Sequence, residues 1–189
     1  VGTGVDITAS AITGINGGVG WLATDVGRQI YFNSGYATIT ARTSATVAVA
    51  TVTTAFTNAN AIAAWQLGSF SDTTGHPSCV TFFEQRLVFA GTTDQPQTIF
   101  FSKSGDYENM DENIGGTVAD DDAMVYTIAS NQVNAIRFMT ATRTLIIGTA
   151  GGEFTVSGGG TDSAVTPTNI LIKKQSNHGS ANVDALAVG

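Results

Sequence analysis

Apolar side chains between positions 79 and 105 come in short runs, each cut off by a few polar residues: "CVTFF" (79–83), "RLVFAG" (86–91) and "QTIFFSKSG" (97–105). Runs of this length, rich in Val, Phe, Ile and Thr and bounded by polar turns, predict three short antiparallel strands. Glu84 and Gln85 interrupt the first run where the chain reverses, and their polarity keeps the reversal in water. Upstream, "RQIYF" (28–32), "YATITAR" (36–42) and "ATVAVATV" (45–52) alternate apolar with small or polar residues at period two. That pattern half-buries a strand on one face. The turns "NSG" (33–35) and "TSA" (43–45) separate them. Between the two regions, residues 59–65 predict about two helical turns with Thr57 or Asn58 as cap.

The hairpin pattern returns downstream. "NAIRFM" (134–139), a turn "TATR" (140–143), "TLIIGTAGG" (144–152) and "EFTVSGGG" (153–160) repeat the order of strand, polar turn, apolar strand ending in Gly-Thr, turn and strand. "RLVFAGT" (86–92) answers "RTLIIGT" (143–149). The arginines lie further apart than one propeller blade of roughly 40 to 50 residues. An excursion and one more strand (124–129) take up the excess, and a third unit is expected to begin at "TNILIKKQ" (168–175). The expected class is all-β: a small N-terminal β-module (1–57), a connector (58–76), and antiparallel meanders resembling incomplete β-propeller blades (77–189). Two such units cannot close a ring, so further blades are expected from other sequence or other subunits.

Composition supports strands and turns: 42% of residues are hydrophobic, 12% are charged, and 22 glycines stand against 3 prolines. A formal net charge of -7 from 8 basic and 15 acidic residues argues against phosphate binding by clustered cations. The single cysteine, Cys79, allows neither an internal disulfide nor a cysteine-based zinc site. No apolar run approaches the ~20 residues that span a bilayer. Val1 opens the chain without a signal-peptide pattern, as expected of a processed chain or a piece of a longer one.

Little here has the spacing that catalysis requires. "GINGGVG" (14–20) lacks the Lys-Ser/Thr of a phosphate loop and is read as a turn. His76 and His178 sit beside glycines in predicted turns, without metal-ligand spacing. Asp120, Asp121 and Asp122 are weak candidates for holding a hard cation, but consecutive acids converge poorly on one ion, and a solvated acidic loop is the plainer reading. No cofactor is expected. Arg86 and Glu153 border apolar strands, where a partly buried arginine can fork to carbonyls or a carboxylate and pin a turn. Gly91, Gly105, Asp106, Arg143 and Gly148 join them as structural positions. Exposed aromatics and acids on a β-rich frame leave open a carbohydrate-binding or polysaccharide-degrading module.

The blocks "GHPSCVTFFEQRLVFAGTTDQPQTIFFSKSGDYENM" (75–110), "VADDDAMVYTIASNQVNAIRFM" (118–139), "TLIIGTAGGEFTVSG" (144–158), "VTPTNILIKKQSNHGSANV" (165–183) and a terminal "VG" resemble, in that order, the tail nozzle proteins of tailed bacteriophages, also called tail tubular protein B. The resemblance covers roughly 65–189. Its most specific parts are "FFEQRLVFAGT", "SKSGDYENM" and "GTAGGEF". "WLATDVGRQIYFNSGYATITARTSATVAVATV" (21–52) looks like the small β-module preceding this region in that family. Members are usually several times longer, and this chain lacks their long N-terminal part and remaining blades. The resemblance implies a non-enzymatic virion component, assembled in the host cytoplasm, that forms a hexameric ring. It further implies contacts with portal or adaptor and tail-fibre proteins, and a lumen through which genomic DNA passes without specific binding.

Overall fold

A computed structural model describes residues 2–129, 133–160, 162–183 and 185. The terminal "VG" of the resemblance, and the part of the 118–139 block at 130–132, lie outside the described residues. The chain is all-β: among the described residues there are three antiparallel sheets, and the only helix is in short 3₁₀ turns. No helix among the described residues is long and apolar enough to cross a membrane. The chain divides into two units. One comprises the residues up to Gly75 together with Asn113–Gly116, and the other His76–Glu112 and the residues from Thr117 onward.

The first unit is one five-stranded sheet built from β1 (Gly2–Thr8), β2 (Gln29–Phe32), β3 (Gly35–Arg42), β4 (Val47–Thr54) and β5 (Gln66–Leu67), in the order β1-β4-β3-β2-β5. The period-two pattern sends Ile30, Ala37, Ile39, Ala48, Ala50 and Val52 into one core, where Ile15 and Trp21 join them. Trp65 packs against this core, its ring 6.4 Å from that of Trp21. Two elements differ from the sequence expectation. β1, too polar to stand out, forms because β4 offers a partner edge. The helical turns expected at 59–65 are absent. Asn58 Oδ1 instead accepts the Asn60 N–H (3.0 Å), and Thr57 N–H donates to Asn33 O (2.9 Å). Local side-chain bonds of this kind compete with a helix nucleus that so short a segment cannot sustain.

The second unit carries two four-stranded meanders. β6 (Cys79–Phe83), β7 (Arg86–Ala90), β8 (Thr98–Phe101) and β9 (Met124–Thr127) pair in sequence order, as do β10 (Ile136–Ala141), β11 (Leu145–Thr149), β12 (Gly152–Ser157) and β13 (Leu171–Ser176). Residues 168–175 therefore do not begin a third unit. β13 pairs with β12, Ile172 opposite Val156, and completes the second sheet. Fourth strands are thus supplied by the two segments least like the rest of the repeat.

One core serves both sheets: Phe83, Val88, Ala90, Ile99, Phe101 and Met124 from the first cluster with Ile136, Leu145, Ile147, Phe154 and Val156 from the second. Val88 and Ala90 match Leu145 and Ile147 in the repeat, so corresponding positions look into the same interior. Within β11, Gly148 is required by close approach. A Cβ there would fall 2.1 Å from a ring carbon of Phe138, its cross-strand partner. Gly91 ends β7 at φ +71, and its missing Cβ would meet Ser78 Oγ at 2.7 Å.

Candidate functional site around Arg86

The β6–β7 hairpin turns through two residues, Glu84 and Gln85, both with positive φ (46 and 61). This is the primed geometry that matches strand twist. Neither is the glycine or asparagine such turns prefer, and each side-chain-bearing residue there carries a cost of about 1 kcal/mol. Three residues hold the turn in place. Glu84 Oε2 accepts the Val165 N–H (2.6 Å), Gln85 O accepts the Gly105 N–H (2.8 Å), and Arg86 reaches inward.

Arg86 opens β7 on its core-facing side and is only 2% exposed. One terminal nitrogen donates to Ser102 O (2.7 Å), Asp122 O (2.7 Å) and, more weakly, Asp121 O (3.4 Å). The other donates to Asp120 O (2.6 Å). The guanidinium therefore gathers the main-chain carbonyls of all three consecutive aspartates. Burial lowers the Arg86 pKa, while the nearby charges of Asp121, Glu84, Asp122 and Asp120 oppose the shift. Arginine remains cationic at neutral pH under such conditions.

A second cation completes the arrangement. Lys103 Nζ donates to Asp122 Oδ1 (2.7 Å) and lies 3.9 Å from Asp121 Oδ2. Asp122 is buried, and its Oδ2 accepts the Ala119 N–H (2.8 Å). Burial alone would lower the Lys103 pKa. The hydrogen bond to Asp122 and the charges of Asp122, Asp121 and Asp111 outweigh it and hold the value above that of an ordinary lysine. Ser102, also buried, accepts the Leu87 N–H on Oγ (2.9 Å) and donates to Lys103 O (2.9 Å). Gly105, at φ +74, and Asp106 form the tight turn after β8, where Asp106 Oδ2 accepts from Asn109 Nδ2 (3.1 Å). Beyond it, Tyr107 meets Phe82 edge-on at 5.2 Å.

The remaining sequence-derived positions lie apart from this cluster. Arg143, the repeat counterpart of Arg86, is exposed and pairs with the exposed Asp162, a surface ion pair of small worth. The two arginines are alike in sequence but not in role. Glu153 accepts from Ser176 Oγ (3.0 Å) across β12 and β13. His76 and His178 are exposed and Cys79 is buried. Among the described residues, no group of three or more His, Cys, Asp or Glu is placed to hold a metal ion.

Sequence reasoning missed Lys103 and Ser102, which carry no local pattern and are joined to their partners only through the fold. It also missed a buried clasp in the first unit. There Asp25 Oδ1 accepts from Arg28 (3.0 Å), and Asp25 Oδ2 accepts from Asn16 Nδ2 (2.7 Å) and the Leu22 N–H (2.8 Å).

Two outcomes follow for this site. Replacing Arg86 by Met keeps most of the volume but leaves the 120–122 carbonyls without their donors. Urea denaturation followed by circular dichroism is expected to show a loss of about 3 kcal/mol, and Arg86→Lys a smaller one. The alkaline limb supplies the second. Tyr126 donates to Pro167 O (2.6 Å), and burial followed by the charge of Glu112 raises its pKa. Lys103 and Tyr126 both have folded pKa values above the unfolded ones. Their stabilisation is fully present below the unfolded values of about 10 and is lost as pH rises through the folded values. Urea midpoints measured from about pH 8 to about pH 11 should fall less steeply for Lys103→Met than for the wild type, whereas an equal slope contradicts the coupling.

No protein-family model matches this chain, and a search of curated proteins finds no match to it.

Proposed function

We propose that this chain is a structural component of a bacteriophage tail, of the nozzle or tail tube type. In this reading copies assemble into a ring through which DNA leaves, and other tail parts attach to it. The observation that supports it most is where the resembling blocks fall. "FFEQRLVFAGT" is the β6–β7 hairpin, "SKSGDYENM" is the turn whose Gly105 N–H binds Gln85 O, and "VADDDAM" supplies the carbonyls that Arg86 gathers. The quoted motifs are thus the parts that tie one substructure together, a role in architecture rather than in chemistry.

Two further features fit. A net charge of -7 favours passage of phosphate backbones over their retention. On the outer side of β6, Val80 and Phe82 are 61% and 60% exposed, side chains that burial in an assembly would cover. A carbohydrate-binding module of the virion is the second reading, favoured by the exposed Phe82–Tyr107 pair. Its rings stand at 78° to each other, so they do not form one flat stacking surface.

Light scattering on the purified chain, with electron microscopy of the same sample, separates the readings. The proposal expects rings, sixfold by the resemblance, with interfaces burying more than about 2,000 Å². A monomer at every concentration that binds glycans on an array through Phe82 and Tyr107 would replace it with the second reading.

A further inference from the structure

The stretch "GINGGVG" (14–20), a turn by its sequence, holds the one asparagine of the clasp directly before a glycine. Asn16 sits at φ 49 and opens a 3₁₀ turn whose next residue, Gly17, is at φ 67. Both ends of its side-chain amide are engaged. Nδ2 donates to Asp25 Oδ2 (2.7 Å) and Gly20 O (3.0 Å), and Oδ1 accepts from Arg28 (3.0 Å). Asp25 is fully buried, and Arg28 is anchored further by donating to Gly68 O. The charged groups that meet this amide are Asp25 and Arg28, and its other partner is the Gly20 carbonyl.

We propose that Asn16–Gly17 is a self-modification site, a deamidation site that the folded clasp holds shut and whose product the clasp rejects. In the reaction the Gly17 main-chain nitrogen attacks the Asn16 side-chain carbonyl carbon and closes a five-membered imide. The carbon–nitrogen bond of the side-chain amide breaks, and ammonia leaves with the proton given up by Gly17. Water then opens the imide at either carbonyl, leaving an aspartyl or isoaspartyl link. Glycine offers no side chain to hinder the attack. In the folded unit the amide must first leave three hydrogen bonds, two of them to ionised groups, which are the stronger kind. Once it has reacted, a donor facing Asp25 at 2.7 Å has become a second carboxylate. Arg28 is shared between the two acids and cannot neutralise both. The mark therefore separates chains that folded promptly from chains that waited unfolded, and it acts in one direction only.

Mass spectrometry of the peptide containing Asn16, after mildly alkaline incubation of the full chain with and without urea, tests the protection. The unfolded chain is expected to lose the amide at least roughly tenfold faster than the native one, and equal rates would overturn the proposal. Asn16→Asp tests the rejection, read by tryptophan fluorescence because both tryptophans, Trp21 and Trp65, lie in this unit. A carboxylate beside a like charge has its folded pKa raised. The deficit should then be complete above that raised value and vanish below the unfolded value of about 3.9. A variant as stable as wild type at neutral pH, or one whose deficit is the same on both sides of that pH range, would sink the idea.

Discussion

A buried guanidinium whose donors meet main-chain carbonyls organises the second unit. After β8 the chain makes a long excursion before returning as β9, and the carbonyls of 120–122 arrive beside the core on that return. Main-chain acceptors removed from water need donors, and Arg86 supplies them from the neighbouring hairpin. Placing an arginine there also explains the three acids. Their carbonyls turn inward, while Asp120 and Asp121 keep their side chains in solvent and Asp122 turns to Lys103. The acidic run thus serves as the counter-charge of two buried or half-buried cations. With the return fixed, Met124 lands opposite Phe101 and the fourth strand adds to the sheet.

The same economy shows at sheet edges. β13 presents Lys173 and Lys174, and β1 carries a register shift near Gly4, devices that discourage unwanted pairing. β9 is met by the 165–168 segment through the Tyr126 bond to Pro167. On β6, Val80 and Phe82 stay more than half exposed even with Tyr107 set edge-on against Phe82. On the proposed reading these side chains are where a neighbour would sit.

Much of the strand pattern could be read from residue order alone, because period-two alternation and polar turns are local signals. The 84–85 reversal is one example, and the correspondence of Val88 and Ala90 with Leu145 and Ile147 another. The features that escaped depend on distant partners. β1 exists because β4 has a free edge. Residues 59–65 form no helix because Asn33, Thr57 and Asn58 bond one another just before them. Matching arginines 86 and 143 promised matching roles, but only the first lies beside a returning loop with carbonyls to satisfy. Lys103, Asp25 and Asn16 carry no periodic signal, since their partners are set by topology.

Hydrogen exchange measured segment by segment tests most directly whether Arg86 makes the 102–123 excursion part of the core. The Ser104 and Gly105 amides bond to Asp121 O and Gln85 O, and the Ala123 amide to Asp111 O. If the account holds, these three exchange as slowly as Val88 and Ile147 in the wild type and become fast in Arg86→Met while the strands stay protected. Rapid exchange of 102–123 in the wild type, with the strands still closed, would show that the guanidinium only decorates a loop that the fold does not need.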